Sequence, residues 1–267
     1  MSKDDKKKRK NATAIGIDIG GTGIKGGIVD LKKGKLVGER FRIDTPQPST
    51  PEAVAAVVAR IVAELSTRED APRSDVPVGV TFPAIIHRGV ALSAANVDKS
   101  WINMDADALF TTALGRPVQV MNDADAAGLA EVRYGAGKGV DGTVMVITLG
   151  TGIGSALIHD GVLVPNVELG HLEIDGHDAE SRASASARER AGLSWEEYAV
   201  VLQRYFSHVE FLFSPSLFIV GGGISKRSED FLPLLDLRTP IIPAALKNNA
   251  GIVGGALQAT VHFGFAS

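Results

Sequence analysis

Two glycine turns and a few carboxylates hold most of the chemistry this chain can offer. Asp18 lies near the end of the apolar run Ala14 to Ile19, and Gly20, Gly21, Thr22 and Gly23 follow directly. The tetrapeptide Gly21-Thr22-Gly23-Ile24 recurs letter for letter as Gly150-Thr151-Gly152-Ile153, an offset of 129 residues. A turn without Cβ atoms lets backbone N–H groups approach an anion, and threonine adds a hydroxyl donor, so paired turns suit a chain of phosphates. A tight hairpin needing positive φ explains either copy alone; the duplication favours phosphate. Gly21 to Gly26 also spells GxGxxG, but a strand follows where the dinucleotide fingerprint requires a helix, and Lys25 stands where a P-loop needs its second glycine.

Transfer of a phosphoryl group to a hydroxyl requires a carboxylate that takes the hydroxyl proton. Asn122-Asp123, where a buried strand meets a helix, offers one, although either residue there also makes an ordinary N-cap. Asp125 reads as a first-turn acid favoured by the helix dipole. Asp18 is placed to hold hydrated Mg²⁺ through water, or simply to bond the turn backbone. Lys25 supplies a point charge for a transferring phosphate, or a solvated surface charge.

These residues need a scaffold, and the elements that position them are legible. Ala14–Ile19, Ile24–Val29 and Lys35–Ile43 form a three-strand meander around the first turn. Thr50, Pro51 and Glu52 open a helix to about Thr67. A strand over Val76–Thr81, a hairpin over Ile85–Leu92 and a helix capped by Asp105 follow, then the strand Val118–Met121 and a helix over Asp123–Tyr134. The pattern restarts with strands Val144–Leu149 and Ile153–Ile158. Ser194 to Glu197 is a capping box for a helix to about Phe211; strand Leu217–Val220, the triplet Gly221-Gly222-Gly223 and a helix after Ala250 complete the chain. The expectation is an α/β protein of two duplicated lobes with a cleft between them: a disordered basic tail over 1–12, a small lobe over 13–121 and a large one over 122–252. The final helix, about 253–267, packs back on the first lobe.

The 267 residues are 45% apolar and 22% charged, within the ordinary globular range. They contain no cysteine, which excludes disulfides, thiolate metal sites and a thiol nucleophile and suits a reducing cytosol. Net charge is −3, and six basic against two acidic residues in the first ten leave a body near −7, without the field of a nucleic-acid binder. No secretory signal is readable. The uncharged run Gly142 to Ile158 is broken by Gly150, Gly152 and Gly154 and reads as two strands, not a membrane span.

The segments Ile17-Asp18-Ile19-Gly20-Gly21-Thr22, Leu149-Gly150-Thr151-Gly152-Ile153-Gly154 and Val220-Gly221-Gly222-Gly223 resemble the phosphate and adenosine motifs of the sugar kinase, actin and Hsp70 superfamily. Glu168-Leu169-Gly170-His171 is similar to the ExGH signature of the ROK family. Within that family, Gly176 to Glu180 and the segment Gly221 to Lys226 resemble the actinobacterial polyphosphate glucokinases and the related glucomannokinase. The resemblance implies actin-like (ribonuclease H-like) lobes and phosphorylation of glucose, with mannose as a second hexose, at the 6-hydroxyl from polyphosphate or ATP with Mg²⁺. It implies Asp123 as general base and also as a sugar ligand, with Asn122, Glu168, His171 and Glu180 as further sugar ligands joined by Asn96 and Asn103; Trp101 is read as packing. It also implies Gly221, Gly222 and Gly223 beside a nucleotide, and a cytoplasmic homodimer. Structural zinc is not expected, because the Cys-rich motif of many relatives is missing. A DNA-reading module has no room before the first strand. The alternative is a non-catalytic sugar sensor on the same fold. An acidic body repels polyphosphate unless cations line its path; Lys25, Lys226 and Arg227 are the first candidates, with Arg133, Lys138 and the basic tail behind them.

Overall fold

The computed structural model of the chain describes residues 13–95 and 97–265, so the basic tail over 1–12 and Asn96 lie outside the described residues. It divides into two units, residues 1–126 with 249–267 and residues 127–248.

The first unit is built on strands β1 (Thr13–Ile19), β2 (Gly23–Asp30), β3 (Lys35–Asp44), β4 (Val78–Phe82) and, after the short β5 (Ile86–His87), β6 (Val90–Ala91) and β7 (Met104–Asp105), on β8 (Val118–Asn122). The sheet order is β3-β2-β1-β4-β8, antiparallel through the meander and parallel from β1 to β8. The second unit repeats this with β9 (Thr143–Leu149), β10 (Ile153–His159), β11 (Val162–Val164), β14 (Leu217–Gly221) and β15 (Ile241–Pro243) in the order β11-β10-β9-β14-β15. A two-strand ribbon, β12 (Glu173–Ile174) and β13 (His177–Asp178), lies between. Strand directions match pair by pair, so the duplication seen in four residues extends to both sheets.

Helix α1 (Pro51–Ser66) starts where Thr50 Oγ1 accepts the Ala53 N–H, and buries Val54, Val58, Ile61 and Leu65, the spacing of one helical face. It packs with Ile15, Ile17 and Ile19 in one core, and α2 (Ala106–Leu114), capped by Asp105, adds Phe110. Helix α3 (Asp123–Tyr134) follows β8, and its Glu131 carboxylate accepts the N–H groups of Ala136, Ala245 and Leu246, pinning the segment after β15. Between β13 and β14 come α4 (Ala179–Ala183), α5 (Ala185–Ala191) and α6 (Trp195–Phe213). The reciprocal Ser194–Glu197 capping box starts α6, which buries Tyr198, Leu202, Tyr205 and Phe206 on the second sheet.

Helix α7 (Ala250–His262) decides the geometry of the first unit. It lies on the face of the first sheet that carries Gly16 and Gly79, and a Cβ on either would collide with the α7 backbone at Ile252 or Gly255. A Cβ on Gly254 would likewise collide with the Ala126 carbonyl. Glycine is needed here for close approach, since none of the three has a left-handed φ. Side chains alternate along a strand, so Asp18 and Thr81, two residues beyond Gly16 and Gly79, share this face. There they meet the start of α7, where a Cβ on Gly251 would stand 3.2 Å from Asp18 Oδ1.

Candidate active site

In the first unit the register aligns Asp18 with Thr81 and Thr81 with Met121 across three parallel strands. Asn122 and Asp123 therefore emerge at the carboxyl end of the same sheet as Asp18, two strand spacings away, roughly 10 Å. Ligands of open α/β sheets bind at such ends. Thr81 Oγ1 donates to Asp18 Oδ1 at 3.0 Å, and Lys25 Nζ lies 3.7 Å from Oδ2. Thr81 escaped the sequence reading because its role depends on strand register. Asn122 Oδ1 accepts from Ala124 and Asp125, so it does cap α3, while its Nδ2 donates to Ala84 O. Asp123 Oδ1 accepts the Ala124 N–H at 2.9 Å, which fixes the carboxylate in the first helical turn.

The first glycine turn closes with Gly20 N–H on Gly23 O, and Thr45 Oγ1 donates to Gly20 O. None of Gly20, Gly21, Gly23, Gly150 or Gly152 has positive φ, which removes the hairpin explanation for these glycines. A Cβ on Gly23 would stand 2.6 Å from Arg42 Nε, the movable end of a half-exposed side chain, and Arg42 Nη2 donates to Thr22 O at 3.0 Å. The second turn is one residue tighter, closed by Gly150 N–H on Gly152 O, and a Cβ on Gly152 would meet the Glu180 carboxylate, which accepts the Ile153 N–H at 3.1 Å. Ser186, at the start of α5, donates its hydroxyl to Thr151 O and its N–H to Gly150 O. The repeated turns thus have neighbours of opposite charge.

Glu168, His171 and Glu180 come together in the second unit. Burial pushes the Glu168 carboxyl above its ordinary range; His171 offsets this in part and Glu180 reinforces it. His171 Nδ1 lies 3.3 Å from Asp178 Oδ2, an orienting contact on an exposed ring. Of the glycine triplet, Gly222 has φ 83° and abuts the Leu149 backbone, Gly221 lies against Thr148, and Gly223 faces open space. Asn103 is exposed at φ 67°, its N–H bonded to Ala91 O. Trp101 is buried between Phe82 and Phe110 and donates to Ser49 O, a packing residue. The proposed cations Lys226, Arg227, Arg133 and Lys138 are all exposed, and Arg227 pairs with Asp230 and lies 5.2 Å over Trp195.

Among the described residues no group of three or more His, Asp or Glu side chains is placed to cage a metal. A lone carboxylate, Asp18, beside a hydroxyl fits Mg²⁺ held mainly by water and phosphate oxygens. No helix among the described residues is long and apolar enough to cross a membrane.

The model of the ROK family matches residues 14–188. A polyphosphate glucokinase of Mycobacterium tuberculosis is 51% identical over 244 residues, 91% of this chain and 89% of that protein. The crystal structure of an inorganic polyphosphate/ATP-glucomannokinase from Arthrobacter sp. strain KM is 74% identical with TM-score 0.90, covering 94% of this chain and 99% of that one. A ROK glucokinase from Streptomyces griseus, in complex with glucose and AMPPNP, is 27% identical with TM-score 0.76, covering 91% and 98%.

Proposed function

This chain belongs to the ROK family, and from that premise we propose that it is a polyphosphate/ATP-dependent glucokinase transferring a phosphoryl group to the 6-hydroxyl of glucose, and of mannose. The observation that carries the reading is the line of Asp18, Thr81, Asn122 and Asp123 across the carboxyl end of one sheet, beside a glycine turn. A sugar sensor needs sugar ligands but neither a base nor a phosphate turn. Asp123 accepts the hydroxyl proton as the phosphoryl group arrives. Glu168, His171 and Glu180 bind the sugar hydroxyls, Asn122 orients Asp123 through the helix cap, and Asn103 lines the sugar site.

Within the turns Gly20 to Gly23 and Gly150 to Gly152, the N–H groups of Gly20 and Gly150 close the turns, and the remaining ones donate to phosphate oxygens; Gly223 leaves room for a nucleotide. Asp18 holds Mg²⁺ through water, with Thr81 and Lys25 fixing the carboxylate. When bound, Mg²⁺ neutralises charge on the phosphate oxygens. The proposal includes a cytoplasmic location, supported by the cysteine-free composition, and a homodimer. For the dimer, Val200 and Phe211, 72% and 80% exposed and eleven residues apart on one face of α6, offer an apolar surface to a second copy. Light scattering should give twice the 28.0 kDa of the chain.

A coupled assay tests the function: sugar phosphate should form from glucose with either donor. No product from both would leave the sensor. The two donors should compete, and added salt should raise the polyphosphate KM more than the ATP KM, because a longer anion makes more screened contacts.

Glu168→Gln should have two opposite effects. Sugar binding should weaken by about 1 to 3 kcal/mol, the range for a hydrogen bond to a charged group, with the donor KM little moved. Calorimetry reads this, and unaltered glucose affinity would make Glu168 structural. Stability should respond the other way. A carboxyl whose folded pKa is raised binds its proton more tightly in the folded state, so its cost is absent below the unfolded pKa and complete above the folded one. The sugar-free Gln variant should therefore melt higher than wild type at neutral pH, and the gap should close in acid.

A further inference from the structure

The first glycine turn has a cationic side that neither the sugar site nor the catalytic base uses. Cross-strand register places Asp18 opposite Lys25, and Lys25 opposite Arg42. The three side chains share the α7 face, in a row running from the carboxylate near the base outward to β3, the edge strand of the sheet. Arg42 is not a loose surface arginine. Its Nη2 donates to Thr22 O, its Nη1 pairs with Asp44 at 2.7 Å, and Gly23 leaves the space its guanidinium fills. The side chain is nevertheless 50% exposed, and Asp44 is 82% exposed. A guanidinium has five N–H donors, so the contacts to Thr22 and Asp44 leave others for phosphate oxygens.

We propose that Arg42, supported by Lys25, is the site that binds the distal phosphates of a polyphosphate donor as it leaves the first glycine turn. The inference rests on the polyphosphate reading of the donor. It favours the inorganic polymer over the nucleotide because the row ends at an open sheet edge. A nucleotide ends in a sugar and base that need an enclosing wall, whereas a polyanion continues outward and gains from each cation it passes. Asp44 is the competing anion on Arg42. An exposed ion pair is worth little, so phosphate displaces it at small cost.

Steady-state kinetics on the full chain, with long-chain polyphosphate and with ATP, tests the assignment. Arg42→Ala should raise the polyphosphate KM about tenfold more than the ATP KM, the worth of one charge-assisted contact. The excess should shrink with tripolyphosphate, which is too short to reach outward. Asp44→Asn should lower the polyphosphate KM, a gain that damaged folding would not produce, and Arg42→Lys should fall between wild type and alanine. Equal rises for both donors, or no rise for polyphosphate, would overturn the proposal and leave Arg42 as a brace of the turn. Wild-type protein that turns over ATP but not polyphosphate would instead refute the donor reading, before any variant is made.

Discussion

Asp123→Asn is expected to lower kcat at least about 10²-fold, the lower range for loss of a general base, while glucose affinity changes far less. The substitution keeps the size of the side chain and an oxygen to accept the Ala124 N–H, so the local geometry of α3 survives. The helix does not depend on Asp123 for its start, because Asn122 caps it through Ala124 and Asp125. What the amide lacks is the capacity to take the proton of the attacking hydroxyl. A drop in kcat with both donors, and a near-constant sugar Kd, separates a base from a sugar ligand. Near-normal turnover in a folded variant would remove Asp123 from the role.

Gly254→Ala is expected to destabilise the protein by about 3 kcal/mol, the upper part of the range for overpacking a tight interior. Helix propensity alone predicts the opposite sign, since alanine is favoured over glycine by about 1 kcal/mol in a helix interior. Packing wins because the added Cβ would fall on the Ala126 carbonyl, and backbone cannot rotate away as a side chain can. Relief requires α7 to lift from the sheet. That would also move Gly251 from Asp18, so activity should fall together with the melting temperature. An unchanged or higher melting temperature would show that α7 has slack at this position.

Much of the fold was legible because its signals are local. Thr50, Asp105 and Ser194 cap helices as their types suggest, since a cap is settled within three residues. The meander strands and both glycine turns lie within a residue or two of where alternation and composition place them. The two short helices over 179–191 were not legible. Neither has a full turn of apolar periodicity, and they form because Ala179 and Ala183 meet the second core, Ser184 caps the second helix on the Ala187 N–H and Ser186 meets the glycine turn.

The candidate site divides in the same way. Type and spacing along the chain mark Asp18, Asn122-Asp123 and the repeated turns as candidates, and the family resemblance carried by the ExGH signature adds the trio Glu168, His171 and Glu180. Sequence by itself also determined the fold class, through the repeat and the alternation of strands and helices. Only the tertiary structure decided why particular residues are small and which charges meet. Gly16, Gly79 and Gly254 make room for backbone where a helix from the far end of the chain packs, whereas Gly23 and Gly152 lie against the movable ends of Arg42 and Glu180. Thr81 reaches Asp18 only through strand register. The physical reason is the same throughout. Caps and alternation are properties of the nearest few residues, whereas steric room and charge pairing belong to neighbours that meet only once the sheets have formed.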